Sequence, residues 1–239
     1  MQTFRRIGLS ALFMICVGAA PCHGTVITLD AVDSGFYFAN GRHNPAIENY
    51  LTGLFGTEHR SFVLFDLSSL NGEIRSATLR LFNPEVSEFL HGYVSPDPTE
   101  TLNIYDVTTA ASAIIGNTAG VGGFEDLGSG VLYGSKVVSA ADNGFVVEIV
   151  LNTAALADLN SAAGLFLFGG ALDTLSGTAD QHVFGFSMAD FVSDHTRQLV
   201  LDIRSVPEPS LLFATALGVL GLAWRERRWR RRGPGLRVR

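Results

Sequence analysis

Residues 61–67 read Ser-Phe-Val-Leu-Phe-Asp-Leu, and residues 74–82 read Ile-Arg-Ser-Ala-Thr-Leu-Arg-Leu-Phe. From Ala77 onward the second segment alternates strictly. Ala77, Leu79 and Leu81 fall on one side, and Thr78 and Arg80 on the other. A period of two buries an apolar face only in a strand, because successive side chains point to opposite faces. Ser68 to Glu73, with its Asn71-Gly72 pair, supplies the turn between the two. The chain is thereby committed to sheet structure near its middle.

The same kind of segment recurs at turn-punctuated intervals. Strands are predicted at Val26–Leu29, Phe36–Phe38, Leu102–Val107, Val131–Val138, Phe145–Leu151, Leu165–Gly169, Val183–Phe186 and Gln198–Ile203. Two stretches favour helix. One is Thr108–Ile115; the other is Asn152–Leu159, where Asn152 and Thr153 are good capping residues. Neither is long enough to cover a parallel sheet. Gly116–Gly130 and Gly169–Gly177 read as long surface loops, and Val94–Glu100 as a third, held extended by its prolines. There is no repeat of 20 to 50 residues. Many short strands with Gly- and Asn-rich turns define a mainly β fold, a jelly-roll-like antiparallel β-sandwich.

Both ends have a different character. Met1 to Gly24 reads as a secretory signal peptide. Arg5 and Arg6 form the basic start and Ile7 to Ala20 the apolar stretch; Cys22 and Gly24 are the small residues before a cut at Gly24–Thr25. A lipoprotein reading through Cys22 fits poorly beside Pro21. Cys16 and Cys22 are the only two cysteines, so residues 25–204 have neither disulfide nor thiolate metal ligand. A domain of that size buries an adequate core without cross-links.

At the other end Val206-Pro207-Glu208-Pro209 precedes an uncharged run from Leu211 to Trp224, and arginines follow. Fourteen helical residues span roughly 21 Å, short of the ~30 Å bilayer core. Pro209 and Ser210 extend the run through the first helical turn, and tryptophans at 224 and 229 suit the headgroup zone. Arg225, Arg227, Arg228, Arg230, Arg231 and Arg232 then hold the basic end on the cytoplasmic side. A core helix would carry a polar face, and this segment has none. The expected organisation is a signal peptide at 1–24, a β-sandwich domain at 25–204 and a sorting tail at 205–239. Within the tail the motif is 206–209, the single hydrophobic helix 210–224 and the basic segment 225–239.

This arrangement resembles the PEP-CTERM sorting signal of Gram-negative bacteria over about thirty residues. The resemblance implies recognition and processing by an exosortase, transient anchoring in the inner membrane, and association with the cell envelope, extracellular polysaccharide or biofilm. The basic extension to Arg239 is longer than the usual few arginines. A looser resemblance covers Arg60–Leu70 followed by Ile74–Leu81, which look like DNRLRE-type extracellular β-sandwich domains, similar to a class of carbohydrate-binding modules. Ser95–Asp106 looks like a stretch of PEP-CTERM exported proteins of no assigned activity.

Charge excludes some partners. Residues 25–206 hold 21 acidic and seven basic side chains, a balance of −14, which repels nucleic acid and anionic lipid. Chemistry is less sharply marked. Asp66 reads as a cap for the turn at Ser68 and Ser69, or as a partner of Arg60 or Arg80, rather than as a calcium ligand. Asp30 and Asp33 also offer carboxylates to a cation, but no Asp-x-Asp-x-Asp-Gly loop is present. His43, His59, His91, His182 and His195 are scattered and read as exposed loop residues without metal-ligand spacing. There is no G-x-S-x-G, and Asp126–Gly130 lacks the Lys and Ser/Thr of a phosphate loop. With 21 carboxylates, no pair is singled out for glycosidase work. Phe36, Tyr37, Phe38, Phe89, Tyr93 and Tyr133 are the aromatics available for sugar stacking, although Phe36-Tyr37-Phe38 reads first as a strand placing two rings in the core. No catalytic residue is expected and no cofactor, with calcium the one ion left open. The expected function is an exported, non-enzymatic structural or adhesive β-sandwich, with a carbohydrate-binding module as the alternative and a polysaccharide-active enzyme behind both.

Overall fold

The computed structural model describes residues 24–86, 92–185 and 196–204, together with Gly218, Leu222 and Trp224. The strands are β1 (Gly24–Asp30), β2 (Asp33–Phe38), β3 (Thr52–Phe55), β4 (Thr57–Asp66), β5 (Glu73–Asn83), β6 (Glu100–Tyr105), β7 (Leu132–Val138), β8 (Phe145–Val150), β9 (Leu165–Leu172), β10 (Gln181–Val183) and β11 (Arg197–Arg204). Helices α1 (Ala111–Ile115) and α2 (Gly120–Asp126) lie between β6 and β7, and α3 (Thr153–Ser161) between β8 and β9.

The strands form two sheets, and every pairing is antiparallel. The smaller runs β1-β11-β5-β8. The larger runs β10-β3-β4-β9-β6-β7, with β2 beside β4, and curls into a half-barrel. The chain changes sheet repeatedly, so the Ser68–Glu73 turn closes no hairpin; it carries the chain from β4 in one sheet to β5 in the other. The mainly β, antiparallel fold class read from the sequence is the one observed.

One core joins the sheets. Leu79 and Leu81 of β5, Ile149 of β8 and Leu199 and Leu201 of β11 meet Val63 and Phe65 of β4, Leu102 and Ile104 of β6 and Phe168 of β9. Leu79, Phe65, Leu102, Ile149, Leu199 and Leu201 are fully buried. At about 25 cal/mol per Å² of apolar surface removed from water, each such side chain contributes on the order of 1.5–3 kcal/mol. On the outer face of the small sheet, Asp30, Gln198, Arg80 and Glu148 form a ladder across all four strands. Gln198 donates to Asp30 (3.0 Å), and Arg80 donates to Gln198 (2.9 Å) and Glu148 (3.1 Å).

The large sheet is buried on both faces around β4. Phe62 and Leu64 point away from the main core and pack with Tyr37, Ile114, Phe124, Leu127 and Leu167 beneath α1 and α2. This second core corrects the reading of Gly116–Gly130 as a loop. Glycine is a poor helix former, but α2 is held by its neighbours. Asp126 accepts the backbone N–H groups of Thr108 and Thr109, and the Arg60 guanidinium donates to the carbonyls of Phe124 and Glu125.

Gly169–Gly177 is likewise not a loop throughout, since β9 continues to Leu172. At Gly169 a Cβ would lie 2.5 Å from the Leu127 carbonyl oxygen, and at Gly170 2.6 Å from Ser61 Oγ. These glycines permit close approach rather than freedom. The expected strand at Val183–Phe186 is displaced to Gln181–Val183, because Phe184 turns the chain with φ 57°; Phe186 lies outside the described residues. Strand β3 was not anticipated. It is four residues long and contains Gly53 at φ 121°. Helix α3 begins where the capping residues place it. Asn152 Oδ1 accepts the N–H groups of Ala154 and Ala155.

Candidate functional site

Gly24 is the first residue of β1 and Arg204 the last of β11, and the two face each other across the ladder. Thr25 follows, opposite Ile203. The 68–73 turn closes over this corner. A Cβ on Gly72, whose φ is 124°, would lie 2.5 Å from the Arg204 carbonyl oxygen. The chain therefore enters and leaves the domain at one corner of the small sheet, and the expected tail starts there without a linker. Val206, Pro207, Glu208, Pro209, Arg225, Arg227, Arg228, Arg230, Arg231 and Arg232 lie outside the described residues, as does most of the hydrophobic segment 210–224. Gly218, Leu222 and Trp224 are helical and exposed. Among the described residues no helix is long and apolar enough to cross a membrane.

The carboxylates considered for chemistry are occupied locally. Asp66 accepts the backbone N–H of Ser68 at 2.9 Å, the cap expected from the sequence; this contact holds its carboxyl below the ordinary range. Arg60 instead pairs with Glu58 at 2.9 Å and lies over the Phe124 ring, its guanidinium carbon 4.4 Å from the centroid. Asp30 accepts from Gln198 and Asp33 from the N–H of Ser34. Burial raises the Asp33 carboxyl pKa, and the nearby Glu48 charge adds to this. Glu100 is buried and accepts the hydroxyls of Ser95 (2.6 Å) and Thr174. Tyr133 donates to Asp158 at 2.5 Å; burial first and that carboxylate second push the phenol pKa far up. Among the described residues no group of three or more His, Cys, Asp or Glu side chains is placed to hold a metal ion.

The described histidines are not the exposed loop residues expected. His43, His59 and His182 are buried; His91 and His195 lie outside the described residues. The reason for His43 is a missing side chain. A Cβ on Gly35 would stand 2.6 Å from its Cε1, so glycine there opens the slot the ring fills. The ring stacks on Tyr37 (centroids 5.2 Å apart, planes at 19°) and meets Phe62 edge-on at 5.1 Å. Nδ1 lies 2.9 Å from the Phe36 carbonyl, which only accepts, so Nδ1 carries the proton. Burial lowers the pKa of both His43 and His59; the Phe36 carbonyl and Asp33 partly offset this for His43. Among the described residues the buried Nδ1 of His59 has no hydrogen-bond partner.

The aromatics divide by face. Tyr37, Tyr93 and Tyr133 are buried and unavailable for stacking on a sugar. Tyr37 and Tyr93 donate to the backbone carbonyls of Ile114 and Asp97, both at 2.7 Å. Phe89 lies outside the described residues. Phe36 and Phe38 share the other face of β2, half-buried, with centroids 5.2 Å apart, and both rings meet His59. Thus the strand places one ring of its three in a core, Tyr37, rather than two. Sequence alone gives no sign of this histidine packing, except that Gly35 stands where a β-branched residue would suit a strand.

Residues 205–228 match the PEP-CTERM protein-sorting motif. No curated protein matches the chain. The sorting motif indicates an exported, exosortase-sorted cell-surface protein.

Proposed function

We propose that the domain is a non-catalytic structural or adhesive module, delivered through its tail to the envelope or extracellular matrix of a Gram-negative bacterium, where it contacts exopolysaccharide. One observation supports this above the others. Four polar side chains of the described residues are committed to holding the fold: Asp66 and Asp126 cap turns, Glu100 gathers two hydroxyls, and Arg60 clasps α2. Covalent reach adds a geometric point. Pro207 is three residues past Arg204 and so within about 11 Å of the sheet corner, and Ser210 within about 22 Å. Until the tail is processed, the domain is held close against the membrane by that corner.

The test uses the exported chain with native exopolysaccharide. It is expected to co-sediment with the polymer and to release no reducing ends. Sugar release would establish an enzyme, and failure to co-sediment would remove the polysaccharide contact. A carbohydrate-binding module with a defined glycan site is the second reading, favoured by Phe36 and Phe38 standing side by side outside both cores. On that reading a glycan array gives discrete hits that Phe36→Ala abolishes; a blank array rejects it.

A further inference from the structure

Strand β1 is an outer edge of the small sheet. On one side its backbone is paired with β11 along its whole length, in unbroken register from Gly24 opposite Arg204 to Asp30 opposite Gln198. On its other side, among the described residues, no backbone hydrogen bond reaches residues 24–30. Other edges are covered or cut short. β8 lies against β7, where a Cβ on Gly134 would stand 2.9 Å from the Val150 carbonyl. β10 has three residues. β2 bonds its Phe38 N–H to Arg42 and its Phe36 carbonyl to His43. Natural sheets block free edges with lysine, proline, a bulge or inward charge, because a bare edge pairs with another strand. β1 reads Gly-Thr-Val-Ile-Thr-Leu-Asp and has none of these before its last residue.

We infer that β1 pairs antiparallel with β1 of a second copy about a twofold axis at Ile27, making one eight-stranded sheet. The strand's side chains select this occupant. With Ile27 opposite the partner's Ile27, Val26 faces the partner's Thr28 and Thr25 faces the partner's Leu29. Val26 and Thr28 are exposed on the outer face, and β-branched pairs there are favourable cross-strand neighbours. Ile27 and Leu29 are already partly buried against the core and extend it across the axis. The only charged side chain, Asp30, faces the partner's Gly24 or, once the chain is cut at Gly24–Thr25, the new α-amino group of the partner's Thr25, an opposite charge. In a domain balanced at −14 this matters, since carboxylates facing each other across a twofold axis repel. A cationic partner strand would find on β1 only Asp30, which is already bonded to Gln198.

The test is a cross-link in the full chain. With Cys16 and Cys22 replaced by serine, the sequence has no other thiol. Ile27→Cys in that background is expected to oxidise to a disulfide-linked dimer, and Phe145→Cys, exposed on the opposite edge, to remain monomeric. Thr28→Lys places a charge opposite the partner's Val26 and diagonal to its own copy. It is expected to weaken self-association about tenfold or more while leaving the unfolding midpoint unchanged. A dimer mediated by the hydrophobic tail would survive Thr28→Lys and fail to cross-link at 27. That result, or a monomer by sedimentation throughout the micromolar range, overturns the proposal.

Discussion

Gly24 and Arg204 stand opposite each other at the end of the β1–β11 ladder, so the domain's entry and exit are neighbours on one sheet corner. Whatever acts on the segment after Arg204 works beside a folded surface. Replacing Pro207, Glu208 and Pro209 together by alanine changes residues that follow the last strand, β11, and alters none of the sheet residues themselves. The expected outcome is uncut protein in the membrane fraction with the domain's unfolding midpoint unchanged. Immunoblots of membrane and extracellular fractions check it; normal release of processed protein would mean that the motif does not direct sorting.

A second expectation concerns Gly169. Its neighbour across the interface is the Leu127 backbone, with three atoms within 2.9 Å of where a Cβ would be. Backbone yields less easily than the end of a side chain, so Gly169→Ala separates β9 from the end of α2. Overpacking of this kind costs about 1–3 kcal/mol. Gly177→Ala is a contrast with no steric conflict, because nothing lies within 4 Å of its Cβ position, although its φ of 67° leaves a backbone cost. Urea denaturation of the two variants measures the difference; equal midpoints would show that β9 and α2 are not in contact.

Those glycines also show where the sequence is legible. Strand β5 could be read almost to the residue, because Leu79 and Leu81 alternate with Thr78 and Arg80 and that period reports burial directly. Asn152 announced α3 for an equally local reason, its side chain capping the helix it precedes. Gly116–Gly130 and Gly169–Gly177 look alike as composition yet became a helix and the end of a strand. Their conformation is set by Arg60, Asp126 and Leu127, contacts made across the fold rather than along the chain. The sorting motif was legible for the opposite reason, since it works as a linear signal. His43 was not: its burial depends on a slot opened by Gly35, eight residues earlier.

Asn152 itself gives a third prediction. Oδ1 accepts two N–H groups of the first turn of α3, and Nδ2 donates to the Leu132 carbonyl at 2.6 Å, tying the helix start to β7. Asn152→Ala removes all three contacts, whereas Asn152→Ser can retain the cap and lose only the tie to β7. Loss of an N-cap costs about 0.5–2 kcal/mol. The alanine variant should lie near the upper end and the serine variant should recover part of the loss, measured by chemical denaturation. Identical losses would assign the whole effect to the Leu132 contact.

The buried histidines predict how stability depends on pH. Unfolding restores His43 and His59 toward the ordinary value of 6.5, whereas in the fold burial holds both below it. In that interval the unfolded chain binds more protons, so stability is complete above about pH 6.5 and declines as the pH falls toward the folded values. The slope is at most about 1.4 kcal/mol per pH unit for each proton taken up. The charged neighbours modify this. Asp33, lying near His43, Glu48 and Arg197, has a raised pKa of its own and counters the decline at lower pH, in the carboxylate range; Glu58 favours protonation of His59. Thermal unfolding followed from neutral pH down to about pH 5.5 should therefore show a falling midpoint. His59→Phe, which keeps a ring between Phe36 and Phe38 and removes its titration, should make that fall shallower. A midpoint flat over this range in the parent chain would mean that neither imidazole is kept neutral by the fold.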